Sequence, residues 1–169
     1  TKLSVVVQDQ ARYSPRGLLE TVKNSGLSTE TKAKAEQVLS TLWRAEARVH
    51  GEAEETLELE ELGSVDTLVD VVGVLSGLAH LGVDRVYASA LVLGAAEPPR
   101  WPGGYPNPAP ATLELVAMAG APVAADRAIY DGAGELTTPT GAALITTLAI
   151  FERPAMSVGG IGVGLGTKD

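Results

Sequence analysis

The sequence predicts an α/β or α+β fold: a small sheet packed with about five helices in one compact domain. Three observations carry the prediction. First, cap or proline signals open five segments whose apolar residues recur at threes and fours, near Ser14-Pro15, Ser28-Thr29, Ser64, Pro110 and Thr138-Pro139. Second, short apolar, β-rich runs alternate with them, at 3–7, 85–93, 122–124 and 127–130. Third, the 169 residues contain no internal repeat, and that length suits one domain with its own core or two small lobes. The single-domain reading takes residues 1–169 together, with 1–13 as a strand and lead-in and 97–110 as a Pro/Gly-rich loop.

Each element has a local cause. Ser14 is a helix cap and Pro15 suits the first helical position, where its missing N–H costs nothing. Leu18, Leu19 and Val22 form the inner stripe, and Asn24, Ser25 and Gly26 end the helix. Ser28 or Thr29 caps the next helix, with Glu30 at the positive end of its dipole. That helix runs to about Val49, turns Ala35, Val38, Leu39, Leu42, Trp43, Ala45 and Val49 inward, and stops at Gly51. Within the acidic stretch 52–61, Leu57-Glu58-Leu59-Glu60 alternates with period two. This predicts a strand with its leucines on one face and Glu58 and Glu60 on the other, Glu61 following.

Ser64 opens a long apolar helix over 65–81. Asp66 sits in its first turn and Asp70 lies four residues on along the same face. Gly73 and Gly77 share a face and predict close packing against a neighbour. A turn at Gly82-Val83-Asp84 leads into a buried strand over 85–93. Residues 98–110 form an irregular loop in which Trp101 and Tyr105 serve as anchors or as a ligand rim. A short helix over 111–119 stops at Gly120. The last helix starts at Thr138-Pro139 and continues through Leu144, Ile145, Leu148 and Ile150. Beyond Met156, Ile161, Val163 and Leu165 alternate with glycine, as in a strand that approaches another backbone closely. A phosphate loop would need the G-x-x-x-x-G-K-[ST] pattern, which the tail lacks.

Composition narrows the chemistry. The chain is 45% hydrophobic but only 4% aromatic, so its core is built from Val, Leu and Ala. The absence of cysteine excludes disulfides, thiolate zinc sites and a cysteine nucleophile. A net charge of −8 and a pI near 4.8 argue against nucleic acid or anionic membranes as general partners. No apolar run approaches a membrane span and no leader is recognisable, so a cytoplasmic protein is expected. With only His50 and His80 available, a metal site would lean on carboxylates and suit Mg²⁺ or Mn²⁺. The candidate metal set is Glu58, Glu60, Glu61, Asp66 and Asp70, a solvated acidic edge being the alternative. Thr137, Thr138, Thr140 and Gly141 decorate a helix N-terminus suited to a small anion or nucleotide phosphate. There the alternative is a capped helix packed tightly on its neighbour.

Five segments carry a family resemblance. Gly134-Glu135-Leu136-Thr137-Thr138-Pro139-Thr140-Gly141-Ala142-Ala143 resembles the G-E-L-T-T-P-T-G-A-A signature of the LarC family. Pro106 with Pro108-Ala109-Pro110-Ala111-Thr112 is similar to its P-V-P-A-P-A-T segment. Val65-Asp66-Thr67-Leu68-Val69-Asp70-Val71-Val72-Gly73 is similar to its V-D-S-I-V-D-I-V-G helix. Ala45-Glu46-Ala47-Arg48-Val49-His50-Gly51 matches A-E-A-x-V-H-G, and the closing Ile161-Gly162 through Lys168-Asp169 matches I-G-x-G-x-G-T-[RK]-D. The resemblance runs in order from about Ser14 to the end and covers the amino-terminal part of the family pattern only. It implies nickel insertion into the nickel-pincer nucleotide cofactor, by a CTP-dependent cyclometallase (a lyase) acting with Mn²⁺ or Mg²⁺.

The chain departs from the family pattern at its histidines. Glu58-Leu59-Glu60-Glu61 stands where the family strand reads H-F-H-E, Pro102-Gly103 where it reads H-G, and Gln8 to Tyr13 where it is histidine-rich. Two readings follow: a working domain that handles metal or the pincer nucleotide, and a divergent, non-catalytic paralogue that acts as a binding or assembly subunit. A carboxylate-based hydrolase is a third reading that no residue pattern specifically requests. The expected partners are a separately encoded carboxy-terminal part, a small anionic ligand and a second copy of the chain in a homo-oligomer.

Overall fold

A computed structural model describes residues 12–59, 62–94, 106–124 and 134–163, together with Val6 and Gly104. Among these are five helices and one two-stranded sheet: α1 (Pro15–Asn24), α2 (Thr29–His50), α3 (Val65–His80), β1 (Val86–Tyr87), α4 (Pro110–Ala119), α5 (Pro139–Leu148) and β2 (Ala149–Ile150). The α/β reading and the five helix starts hold.

The caps act as their residue types dictate. Ser14 Oγ accepts from Gly17 N at 3.2 Å, Ser28 Oγ from Thr31 N at 3.1 Å, and Thr138 Oγ1 from Gly141 N at 3.1 Å. Gly51 ends α2 in the left-handed conformation at φ 69°, which a residue without Cβ adopts freely.

α2 is the axis of the domain and packs against each of the other four helices. Its fully buried Ala35, Val38, Leu39, Leu42 and Ala45 meet Leu18 and Val22 of α1, Leu68, Val71 and Leu75 of α3, Leu115 of α4, and Ala142 and Ala143 of α5. Each large side chain so buried contributes about 1.5–3 kcal/mol relative to exposure. α5 packs against both α2 and α4. The sheet is parallel, with Val86 opposite Ala149 and Tyr87 opposite Ile150, so α4 and α5 lie on the crossover between its strands.

Several expectations are corrected. Leu57 and Leu59 are buried and Glu58 is exposed, as alternation requires, but residues 57–59 form no strand. The leucines are held by the helical core and not by a partner strand. The strand expected over 85–93 is broken up: only Val86–Tyr87 pairs with β2, while Leu91 bridges to Val123 and Gly94 to Glu135. The 122–124 segment contributes that single bridge. Ile150 belongs to β2, because the helix ends at Leu148. Gly73 and Gly77 face open space, with nothing within 4 Å of an added Cβ, because α3 turns Leu68, Val71 and Leu75 inward instead. Residues 151–163 form no strand. Of the strand expected at 3–7 only Val6 is described, exposed and in no strand; the strand expected at 127–130, together with Glu60, Glu61, Trp101, Tyr105 and Leu165, falls outside the described residues.

Candidate functional site

Four segments enclose a cleft of about 330 Å³: the last turns of α2, the coil after Leu57, the proline segment leading into α4, and the signature segment leading into α5. From α2 come Glu46, Val49 and His50, which share a helix face at i, i+3 and i+4. That phase leaves Val49, expected in the core, 38% exposed on the cleft wall, while Ala47 is buried. Glu58, Leu59 and Leu62 form a second wall. Pro106, Asn107, Ala109, Pro110 and Ala111 form a third, and Glu135 and Pro139 a fourth.

The polar atoms of the cleft are unevenly charged. His50 Nε2 lies 3.4 Å from Glu46 Oε2, an ion pair whenever the imidazole is protonated. Their side chains are 36% and 15% exposed. Among the described residues, the cleft walls carry Glu46, Glu58 and Glu135 with the imidazole of His50 and no lysine or arginine. Carboxylates in such a setting favour cations over anions.

The signature segment is tied down from two sides. Thr137 Oγ1 donates to the Val92 carbonyl at 2.7 Å, and Leu136 N donates to the Leu93 carbonyl at 3.3 Å. Thr112 Oγ1, fully buried on α4, donates to the Thr137 carbonyl at 3.3 Å. The hydroxyls of Thr137 and Thr138 are thus engaged in holding and capping the segment, Thr140 is 9% exposed, and Gly141 N is taken by the cap. Arg48 Nη1, 2.9 Å from Glu114 Oε1, links α2 to α4.

Of the expected metal set, Glu58 lines the cleft, and Asp66 and Asp70 sit on α3 away from its walls. Burial, and then the neighbouring Asp66 charge, raise the Asp70 carboxyl above its ordinary range. Among the described residues no three His, Asp or Glu side chains stand together as a metal-binding group. Glu46, His50 and Glu135 were not among the expected site residues. The signal was present in the i, i+4 spacing of Glu46 and His50 on a helix whose end was already expected.

Fold and cleft together define a small, mainly helical α/β domain with an acid-lined pocket between helix ends. Residues 1–169 match the family model described as nickel insertion protein, and the chain belongs to that family. A putative nickel insertion protein of Citrifermentans bemidjiense is 41% identical over 99% of this chain and 43% of its own length. One of Roseiflexus castenholzii is 41% identical over 87% and 36%. The pyridinium-3,5-bisthiocarboxylic acid mononucleotide nickel insertion protein of Desulfitobacterium hafniense is 38% identical over 88% of this chain and 36% of its own. The chain thus spans well under half the length of these relatives, matching their amino-terminal part. No solved structure gives a significant match. Among the described residues no helix is long and apolar enough to cross a membrane.

Proposed function

We propose that this chain is the amino-terminal portion of a nickel insertion protein, and that its acid-lined cleft receives Ni²⁺ for insertion into a pyridinium bisthiocarboxylate mononucleotide. The observation that carries the reading is the His50–Glu46 pair lining a cleft that has no lysine or arginine among the described residues. Imidazole suits Ni²⁺, and one imidazole with carboxylate oxygens leaves coordination positions open. A substrate that brings two thiocarboxylates offers softer sulfur donors, so transfer from protein to substrate runs toward the better ligand set. Nickel is cargo in this scheme. Glu58, Glu60, Glu61, Asp66 and Asp70 are then the proposed carboxylates for harder Mg²⁺ or Mn²⁺ ions, Glu58 from the cleft wall and Asp66 with Asp70 from α3. The first turn of α5, at Thr137, Thr138, Thr140 and Gly141, is proposed to face the nucleotide's anionic end through its backbone dipole.

Isothermal titration with Ni²⁺, Mn²⁺ and Mg²⁺ tests the reading. Wild-type protein is expected to bind Ni²⁺ at one site. Glu46→Gln is expected to weaken it about 10–100-fold, as when a carboxylate that orients a ligating imidazole is lost. The absence of any three-ligand group among the described residues favours a second reading, a binding or assembly subunit without nickel chemistry. Wild-type protein that takes up none of the three ions would establish that reading and overturn the first.

A further inference from the structure

Thr112 stands in the first turn of α4 and is fully buried. A valine would fill nearly the same space, and a hydroxyl taken out of water is costly unless it is hydrogen-bonded. The hydroxyl of Thr112 reaches across to the start of another helix, where Oγ1 donates to the Thr137 carbonyl at 3.3 Å. Thr21, Thr41 and Thr146 instead spend theirs within their own helices, each on the carbonyl four residues back.

Both ends of this bond adjoin cleft-lining residues along the chain. Ala109, Pro110 and Ala111, which precede Thr112, line one wall, and Glu135 and Pro139, on either side of Thr137, line the next. The signature segment has a second anchor, because Leu136 N donates to the Leu93 carbonyl and Thr137 Oγ1 to the Val92 carbonyl. Those bonds set it against residues 92–93. The Thr112 bond sets it against α4, and so sets one cleft wall against the other.

We propose that Thr112 is a positioning residue for the cleft. By holding the Thr137 carbonyl, its hydroxyl keeps the Glu135 wall in register with the proline wall, while Thr112 itself does not line the cleft. A ligand set must be held to within about 0.5 Å of its working geometry, and that precision comes from packed, hydrogen-bonded supporting residues. The effect on metal affinity rests on the reading of the cleft as a Ni²⁺ site. The placement of the segment does not.

Two substitutions separate the hydroxyl from the bulk of the side chain: Thr112→Val keeps the shape and loses the donor, and Thr112→Ser keeps the donor and loses a methyl. Each is measured without metal, by hydrogen exchange at the Leu136 amide, and with Ni²⁺, by titration calorimetry. Thr112→Val is expected to speed exchange at Leu136 roughly tenfold while the amides of α2 keep their protection. It should also weaken Ni²⁺ binding about 10-fold or more, as loss of a supporting hydrogen bond does at metal sites. Thr112→Ser should stay near wild type in both. A purely space-filling threonine gives the opposite order, with serine the more damaging change, and that result overturns the proposal. Faster exchange with unchanged Ni²⁺ affinity overturns it too, since the bond then serves stability alone. If wild-type protein takes up no Ni²⁺, the cation reading of the cleft fails, and exchange at Leu136 alone decides whether Thr112 places the segment. Should Thr112→Val not fold, as judged by circular dichroism, Thr112→Ala beside Thr112→Ser makes the same comparison.

Discussion

Gly94→Ala tests how the cleft is held together. Gly94 sits at φ 103°, outside the range L side chains readily adopt, where it bridges to Glu135. A Cβ there would collide with the Gly134 carbonyl oxygen and stand 3.0 Å from Leu136 N and 3.2 Å from Asn107 Nδ2. Backbone strain of this kind costs on the order of 1–3 kcal/mol. Overpacking against backbone that cannot rotate away adds about 1–3 kcal/mol. With roughly 2–4 °C lost per kcal/mol in a domain of this size, the melting temperature should fall by at least about 4 °C. Because Asn107 and Glu135 both line the cleft, Ni²⁺ affinity should fall with it. Thermal melts followed by far-UV circular dichroism give the first number and titration calorimetry the second. Gly77→Ala is the control: its Cβ would meet nothing within 4 Å, and in a helix interior it should stabilise by about 0.5–1 kcal/mol. A Gly94→Ala protein that melts with wild type and binds Ni²⁺ equally would refute the account of how 91–94 positions the signature segment.

The remaining predictions concern single groups. Glu58→His places a second imidazole in the cleft that already bears His50, so calorimetry should show Ni²⁺ affinity rising relative to Mn²⁺ and Mg²⁺. Thr138→Ala removes the hydroxyl that caps α5 and should cost about 1 kcal/mol in urea denaturation, whereas Thr138→Ser should retain most of it. Asp70, with its carboxyl raised by burial and by Asp66, takes up a proton more readily folded than unfolded. It therefore favours the folded state at low pH and costs stability as pH climbs through the unfolded value and then the raised folded one. Asp70→Asn should melt above wild type at neutral pH, by less than about 1 kcal/mol because the group is largely solvated. The gain should vanish in melts run below the ordinary carboxylate range.

The helices were legible because their signals are local. Ser14-Pro15, Ser28 and Thr138-Pro139 cap helices through contacts three residues away, and Gly51 and Gly120 stop them through backbone angles of their own. The inward face of α2 followed from spacing alone, down to Leu42, Trp43 and Ala45. The pairings were not legible, because a strand exists only where a second backbone lies beside it. Leu57-Glu58-Leu59 alternates like a strand and remains coil among helices, while residues 85–94 divide their pairings among Ile150, Val123 and Glu135. The cleft belongs to that second category. Glu58 was expected to share a strand face with other carboxylates. Packing instead sets it on one cleft with Glu46, His50 and Glu135.

By itself, then, the sequence determined where the helices begin, which stripe of each is apolar, and, through its motif segments, the family. Only the tertiary structure decided that the end of α2, the proline segment and the start of α5 enclose one acidic cleft. The packing of α5 on both α2 and α4 brings those ends together, and no local signal encodes which surface a buried residue will meet.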